Sequence, residues 1–468
     1  MRIIPLILAV ALFMENMDST VIATSLPAIA ADIGADPISL KLALTAYFVA
    51  LAIFIPLSGW MADRLGARNV FRWAILVFMA GSICCANSFS LETFVGSRFL
   101  QGTGASMMTP LARLVLVRST PRNELVSAMA WLTLPGLIGP LTGPPVGGFL
   151  TTYLTWHWIF WINIPIGIAG IILSTIYLPK IETRTPRPID FPGFILAAIA
   201  FSGIIFGLSV ISLPAIPIVA GFAALGAGVL AGGIYLWHCR RTEHPLLDPS
   251  LFRRYPLFRS AVVGSSIFRI GVGATPFLLP LMLQVSFGLT PFESGMITFS
   301  GALGAMFSKV VAERVFAAFG FPRVLIAASI AACLALAFNG FFTPQTPHIF
   351  LYATLLVSGV LRSIFFTGVN ALGFADVDEK DASQASAITV VGQQLSVAFG
   401  VAVAGGVLEA SSRLTGSELS LVDFHIAWFV VAGVSLISAI PFLRLPKDAG
   451  ADVSGHRAAI TKPVEPAS

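Results

Sequence analysis

Two carboxylates lie in the middle of an apolar segment close to the N terminus. Glu15 and Asp18 belong to the stretch "FMENMDST", which follows "IIPLILAVAL" and precedes "VIATSLPAIA". Residues three apart share one face of a helix, and a charged side chain near the bilayer midplane costs roughly 2.5–3.5 kcal/mol on insertion scales. Intramembrane acids therefore usually face the interior of a helix bundle and mark the path of an ion or a substrate. The pair predicts such a path if the segment crosses a membrane.

An arginine further along the chain is the expected partner of these acids. In "RFLQGTGASMMTP", a rotation of 100° per residue places Arg98, Gln101 and Thr109 on one face of a helix. A permanent cation in an apolar helix needs a counter-charge, and the acids of "FMENMDST" are the only ones embedded in this half of the sequence. The pattern predicts that the two segments pack together through Arg98.

The composition indicates that these segments belong to a membrane protein. Of the 468 residues, 56% are hydrophobic and 11% are charged, whereas a soluble domain has about 25% charged residues. The net charge is +5, but the basic residues are scattered through short loops, which argues against nucleic-acid binding. The four cysteines have neither a C-x-x-C nor a Cys/His metal spacing. The composition excludes a soluble globule and gives no indication of a metal site.

Apolar runs of about 20 residues, each long enough to cross a ~30 Å hydrocarbon core as a helix, recur along the chain. They predict spans at 4–27, 40–62, 72–89, 92–117, 125–150, 158–178, 192–211, 216–237, 258–283, 292–312, 323–342, 349–373, 384–409 and 425–444. The predicted fold is an all-α polytopic membrane protein with about fourteen transmembrane helices, arranged as six, two and six. We expect a six-helix bundle over 1–180, two extra helices and a cytoplasmic linker over 181–257, a second six-helix bundle over 258–445, and a disordered cytoplasmic tail over 446–468.

The lysines and arginines set the expected orientation, because positively charged short loops stay on the cytoplasmic side of a membrane. Alternate loops are basic, and the intervening loops carry little positive charge apart from Lys41 and Arg413. Both termini are therefore predicted to be cytoplasmic, with the chain in the cytoplasmic (inner) membrane.

A charged loop motif follows the second predicted span. In "GWMADRLGARNVF", Gly59 and Gly66 would allow close backbone approach, and Asp63 lies near Arg64 and Arg68. A carboxylate here can cap the positive end of a neighbouring helix and pair with one of these arginines. The motif predicts a charged latch on a cytoplasmic gate, and the alternative is an ordinary charged loop that fixes topology.

The fifth predicted span is rich in glycine and proline. Its segment "PGLIGPLTGPPVGGFL" has a glycine at every fourth position, which gives a smooth strip for close helix contact, and prolines that fix bends. The residues of this motif are Gly139, Pro140, Gly143, Pro144, Gly147 and Gly148.

These motifs together resemble the major facilitator superfamily, and specifically its fourteen-helix drug:proton antiporter branch of the EmrB/QacA type. "MDSTVIATSLPAI" resembles the first-helix signature of that branch, "GWMADRLGARNVF" its loop motif, "RFLQGTGASMM" its fourth-helix motif, "GPLTGPPVGG" its antiporter motif and "WHWIFWINIPIG" its sixth-helix signature. The resemblance covers nearly the whole chain. It implies alternating access by two six-helix bundles, driven by the proton motive force without a bound cofactor.

The resemblance also implies roles for individual residues. Asp18 would be the protonatable carboxylate and Arg98 its partner, Asp63 would be part of the cytoplasmic latch, and the glycines of the fifth span would form the antiporter seal. Two positions depart from the pattern of the branch. Glu15 stands where an uncharged polar residue is common, and Pro145 stands where a small residue is usual.

The substrate is the least specified feature. The residues expected to line its cavity, besides the two acids, are Met14, Met17, Tyr47, Gln101, Trp131, Arg269, Arg362 and Asn370. An acidic cavity lined by aromatic and methionine side chains suits lipophilic cations, although such side chains also serve in helix packing. Two of the residues, Arg269 and Arg362, lie in second-half spans that contain no central acid. They leave open the alternative of an organic anion, such as a citrate-like metal chelate, or a purely structural role.

We therefore expect a secondary active transporter that exports lipophilic or cationic drugs in exchange for protons. Export of an organic anion or a metal chelate is the alternative, and a non-transporting sensor of the same fold is a third reading. An enzyme is not expected, because the chain has no G-x-x-x-x-G-K-[ST], H-E-x-x-H or G-x-S-x-G motif. The predicted partners are a small molecule, protons and the lipid bilayer. The sequence identifies no nucleic-acid partner and no periplasmic adaptor.

Overall fold

The computed structural model describes residues 3–120, 125–179, 189–211, 217–243, 245–378, 381–415, 419–446 and 449–450. The regular structure in these ranges is helical throughout. The predicted basic loop at 180–188 and the predicted tail beyond residue 450 lie outside the described residues.

The predicted spans all overlap long helices, which we number in chain order. They are α1 Ile3–Val21, α2 Lys41–Phe54, α3 Ala67–Ala86, α4 Leu91–Ser119, α5 Leu125–Tyr153, α6 Asn163–Tyr177, α7 Phe191–Ile211, α8 Ile218–Cys239, α9 Pro256–Leu281, α10 Pro291–Phe319, α11 Phe321–Phe338, α12 His348–Gly373, α13 Ala382–Thr415 and α14 Leu421–Leu436.

Proline interrupts the α-helical hydrogen bonding of the first two spans, because it lacks an N–H donor and crowds the preceding turn. A 3₁₀ turn follows α1 and leads into the short helix Leu26–Asp32, which has Pro27 in its first turn. Another 3₁₀ turn, which contains Pro56, follows α2 and leads into the short helix Ser58–Leu65. The apolar segments continue through both interruptions.

Eleven helical segments of the described chain are long and apolar enough to cross a membrane. The helices α4, α5 and α10 are not among them, although each has 29 residues. These three helices carry many of the polar, glycine and proline residues that the motifs contain. The expected count of about fourteen spans therefore stays a prediction, as do the sides on which the termini lie.

The helices of each half pack chiefly on one another. In the first half, α1 packs on α5, and α4 packs on α2 and α3. In the second half, α9 packs on α13, and α12 packs on α10 and α11. The helices α7 and α8 pack on each other, and α7 also contacts α2 and α13. The halves meet where α5 contacts α10 and where α2 contacts α13.

The buried apolar residues show at which end the halves are joined. One cluster includes residues of both halves, among them Leu26, Leu283 and Trp428, and lies where α1 and α9 end. Near the beginnings of these helices, each half also has a cluster of its own, which contains Phe71 or Phe316, and a smaller cluster joins Ala52 of α2 to Phe258 of α9. The halves therefore share their most extensive apolar core at one end, which the charge distribution predicts to be the extracytoplasmic end.

Candidate functional site

The structure brings Asp18 of α1 against Arg98 of α4. Arg98 Nη1 donates to Asp18 Oδ2 at 2.8 Å, and both side chains are buried, with 1% and 0% of their surface exposed. The same nitrogen donates to the side-chain oxygen of Gln101, one turn further along α4. The guanidinium carbon lies 4.2 Å from the ring centroid of Tyr47. An aromatic face and two oxygens therefore surround the cation.

Two neutral donors complete the surroundings of Asp18. Its Oδ1 accepts hydrogen bonds from Gln101 Nε2 and from Asn163 Nδ2, both at 2.8 Å. Both amides also donate to the Ser82 hydroxyl, at 2.7 and 3.2 Å. The carboxylate is thus bound by groups of α4 and α6, and α3 supports those groups. Any proton that arrives at Asp18 competes with these bonds, so its protonation would alter how four helices are held together.

Sequence reasoning did not single out Asn163 and Ser82. Asn163 begins α6 within "WHWIFWINIPIG", where it is a polar residue in an apolar stretch. That contrast could have marked Asn163 as a candidate. Ser82 had no comparable signal, because the hydroxyl of a serine inside a transmembrane helix can donate a hydrogen bond to a backbone carbonyl oxygen of the preceding turn.

Glu15 forms a separate contact on the same two helices. Its Oε2 accepts a hydrogen bond of 2.7 Å from the Thr109 hydroxyl of α4, and the residue is half-buried. Because α1 and α4 run in opposite directions, Asp18 contacts the early part of α4 and Glu15 contacts a later part. The two acids are therefore engaged at different depths, although they share a face of α1.

Four residues expected to line the cavity are packed inside the protein, and one of them is Gln101, whose buried amide is described above. Met14, Met17 and Tyr47 have at most 2% of their surface exposed, and Met14 and Tyr47 belong to the apolar core of the first half. Their predicted position in an open cavity is wrong for this conformation, because apolar neighbours and the Arg98 cation cover them. Trp131 is half-buried and Asn370 is exposed.

The glycine strip of α5 faces α1. A Cβ at Gly139 would lie 2.9 Å from the Phe13 carbonyl oxygen, and a Cβ at Gly143 or Gly147 would collide with Thr20 or Val21. Helix α1, which carries the two acids, thus lies against a face of α5 that has no room for a side chain at these positions.

The other side of α5 touches the second half. A Cβ at Gly148 would collide with Pro291 of α10, and a Cβ at Gly295 of α10 would collide with the backbone at Pro144. Pro144 is buried and Pro140 is half-buried. Helix α5 therefore lies between α1, which carries the two acids, and the first turns of α10.

The charged loop motif lies near the end of the first half that the charge distribution predicts to be cytoplasmic. Asp63 pairs with Arg118 of α4 at 2.7 Å, so the predicted pairing with Arg64 or Arg68 is wrong. Arg68 instead donates to carbonyl oxygens at the end of α6, and Arg64 lies over the Trp60 ring. Because the two arginines close to Asp63 in sequence contact other groups, Asp63 pairs with an arginine that is distant in sequence.

Only one of the two glycines of this motif is required by the backbone. Gly66 lies between the short helix Ser58–Leu65 and α3 and has a φ of 84°. Residues other than glycine rarely adopt this backbone conformation. A Cβ at Gly59 would meet nothing within 4 Å. The close approach predicted at Gly59 is therefore absent in this conformation.

In the part of the second half that the structure describes, two arginines have no polar partner. Among the described residues, neither Arg269 of α9 nor Arg362 of α12 makes a hydrogen bond or an ion pair, and Arg269 Nε is buried. Arg269 lies 4.0 Å from the centroid of the Phe366 ring, and Arg362 lines a cavity of about 50 Å³. At roughly 2.5–3.5 kcal/mol for each cation in a span, this arrangement is costly unless something binds there.

Comparisons with known proteins agree with this architecture. The Major Facilitator Superfamily profile matches residues 8–239 and 261–467. The chain is 35% identical over 459 residues to a Yersinia enterocolitica protein named MdtD, and 36% identical over 447 residues to its namesake in Cronobacter sakazakii. The alignments cover 97% and 94% of both chains, respectively, and the name provisionally assigns these relatives to multidrug resistance.

Solved structures share the fold at low sequence identity. The POT family transporter PepTSo has a TM-score of 0.70 at 15% identity, with 97% of this chain and 99% of that chain covered. A D-xylose-proton symporter has a TM-score of 0.69 at 14% identity, with 96% and 98% covered. The family profile and the relatives at over one-third identity together show that this chain, a multi-pass helical membrane protein, belongs to the major facilitator superfamily.

Proposed function

We propose that the protein exports small, drug-like molecules across the cytoplasmic membrane in exchange for protons, as a member of the fourteen-helix drug:proton antiporter branch. The observation that carries the proposal is the buried network of Asp18, Arg98, Gln101 and Asn163, which joins helices that move as one bundle in alternating access. Relatives of this chain bear a multidrug resistance name, which supports drug-like substrates.

The network supports proton coupling because a titratable group holds the helices together. With Asp18 ionised, its two oxygens accept from one cation and two amides. Protonation removes the charge that attracts Arg98 and frees the guanidinium to seek another oxygen. Burial penalises the ionised carboxylate and the neighbouring cation favours it, so a movement that changes either influence changes proton affinity. A proton can thus bind in one conformation and leave in the other.

The route from the proton site to the moving interface runs through α5. The glycine strip holds α5 against the backbone of α1, and the opposite face of α5 meets α10. A movement of α1 at Asp18 would therefore also move α5, and with it the contact between the halves, because backbone rather than flexible side chains joins these helices. Each charge that crosses the membrane with the potential supplies about 2.3 kcal/mol per 100 mV, which can drive export against a gradient.

The charged loop motif would bias the two conformations. The Asp63–Arg118 pair joins the short helix Ser58–Leu65 to α4 near the end that the charge distribution predicts to be cytoplasmic. Because Asp63 and Arg118 both belong to the first half, their pairing does not tie the two halves together at this end. A change of partner to a residue of the second half would hold this end closed. No protein adaptor is required by this mechanism.

Proton release on substrate binding tests the proposal. Purified protein in proteoliposomes or weakly buffered detergent should release protons when a transported drug-like compound is added. Asp18→Asn should abolish this release and the transport, because a carboxamide cannot titrate. Glu92→Gln is the matched control, since Glu92 is an exposed acid on α4, and it should behave as the parent protein. Full proton release from the Asp18→Asn protein would exclude Asp18 from coupling.

A further inference from the structure

The two arginines of the second half have no role in the proton mechanism. Arg269 and Arg362 lie on the neighbouring helices α9 and α12, and both carry a positive charge. The ring of Phe366 covers one face of Arg269. In the described part of the chain, no oxygen of a side chain or of the backbone accepts a hydrogen bond from either guanidinium.

The acids of the second half that the structure describes are engaged elsewhere. Glu293 accepts from the first turn of α10, Asp423 from Ser411 and Ser420, and Glu409 from Arg413. Asp376 accepts from the start of α9, and Asp381 pairs with Arg254. These contacts lie at or near the ends of the helices. The protein therefore has two cations on neighbouring helices of the second half, and the side chains that the structure describes there offer them no counter-charge.

The space beside Arg362 is small and mostly apolar, with a few polar residues. The cavity of about 50 Å³ is lined by Thr275, Thr298, Ser358 and Asn339 among apolar residues such as Phe268 and Leu279. The Asn339 side-chain oxygen is buried and has no hydrogen-bond partner. One water needs about 10–15 Å³ of such volume, so the cavity can hold a few waters or a group of the size of a carboxylate. Of the lining residues that the structure describes, Arg362 alone is charged.

We propose that Arg269 and Arg362 bind the anionic group of the transported compound, and that this group is a carboxylate. The inference rests on the proposed function and specifies its substrate class. A guanidinium offers paired N–H donors that match the two oxygens of a carboxylate, and the anion supplies the missing counter-charge of both arginines. Phe366, with Phe268 on the cavity wall, would contact an apolar body attached to the carboxylate. The expected substrate is an amphipathic organic anion.

The geometry of the first half agrees with this substrate class. Asp18 is occupied by Arg98 and two amides, and Glu15 is hydrogen-bonded to Thr109. The acids that would attract a lipophilic cation therefore already have partners. The arginines of the second half have none among the described residues.

Direct binding to the purified protein tests the site without requiring protons or transport. The probes are carboxyfluorescein and benzoate as organic carboxylates, tetraphenylphosphonium as a lipophilic cation, and chloride as an inorganic anion, all at fixed ionic strength. We expect both carboxylates to bind and to raise the melting temperature, because a ligand that binds only the folded state stabilises it. Arg269→Ala and Arg362→Ala should each weaken carboxylate binding by about ten- to a hundredfold.

Matched variants separate binding from folding. Arg259→Ala removes an exposed arginine from the first turns of α9 and should leave carboxylate affinity unchanged. Arg269→Lys and Arg362→Lys keep the charge but lose the paired donors, and should give intermediate losses if the alanine variants do not fold. Asp18→Asn should retain carboxylate binding, so failure of proton coupling and failure of this site are distinguishable.

Three results would overturn the proposal. The first is binding of tetraphenylphosphonium with no binding of either carboxylate. The second is chloride binding that depends on both arginines and is as strong as carboxylate binding, which would make this a site for an inorganic anion alone. The third is carboxylate binding that survives in folded arginine-to-alanine proteins.

Discussion

The buried Asp18–Arg98 pair allows a quantitative prediction about two substitutions of unequal cost. Arg98→Met removes the cation that donates to Asp18 and leaves the carboxylate with two neutral amide donors among the described residues. Asp18→Asn keeps the shape of the side chain, and its carboxamide oxygen can still accept from Arg98. Both changes leave a charge inside the protein, but the second leaves it better hydrogen-bonded.

The magnitudes follow from the burial of the pair. Removal of one partner of a buried ion pair costs about 3–5 kcal/mol, and we expect this loss for Arg98→Met, since both side chains are almost completely buried. Asp18→Asn keeps an oxygen for Arg98 but turns an NH2 group toward the amide donors of Gln101 and Asn163. The expected loss is therefore that of a hydrogen bond to a charged group, about 1.5–3 kcal/mol. The double variant removes both charges. It should lose less stability than the sum of the single variants by at least about 1.5 kcal/mol, since neither charge is left without a partner.

The assay is the free energy of unfolding of the four proteins in one detergent, measured with the same denaturant. Glu92→Gln combined with Arg259→Met is the control cycle, because both residues are exposed and lie on different helices. Its two changes should add within about 0.5 kcal/mol. If the losses of Asp18→Asn and Arg98→Met also add within that margin, the pair is not energetically coupled and the reasoning from its burial fails.

Three further predictions concern the gate, the glycine strip and the topology. Asp63→Asn should slow transport but change substrate affinity no more than a few fold, since it biases two conformations without touching the cavity; cysteine labelling from each side should shift, and an unchanged pattern with lost transport would contradict this. Gly143→Ala should impair transport because its Cβ collides with α1, whereas Gly226→Ala should be tolerated, since a Cβ there meets nothing within 4 Å; equal transport by both variants would refute the packing argument. Reporter fusions after Pro188 and near Pro214 should read cytoplasmic and external, respectively, and the reverse result would refute the orientation drawn from the positive charges.

The sequence predicted the helices well because the signal for each is local. An apolar run long enough to cross a bilayer has few alternatives to a helix, since every backbone polar group must be satisfied within the segment. The ends of α4 and α12 fall within a few residues of the predicted boundaries. The face that carries Arg98 and Thr109 also follows from sequence, because helical periodicity fixes which side chains of one helix share a direction. The buried charged residues could also be identified from the sequence, because an apolar span contains few charged residues.

Only the tertiary structure decided which side chains meet across helices. It assigned Arg98 to Asp18 and Thr109 to Glu15, added Asn163 to the network, and gave Asp63 a partner on α4 in place of its neighbours in sequence. These outcomes depend on the rotation and depth of each helix relative to the others. Rotation and depth are set by packing over the whole bundle, which no single segment of sequence encodes. For the same reason, the sequence could show that the second half contains arginines in its spans, but only the packed helices could show that the described residues around them offer no acid to pair with.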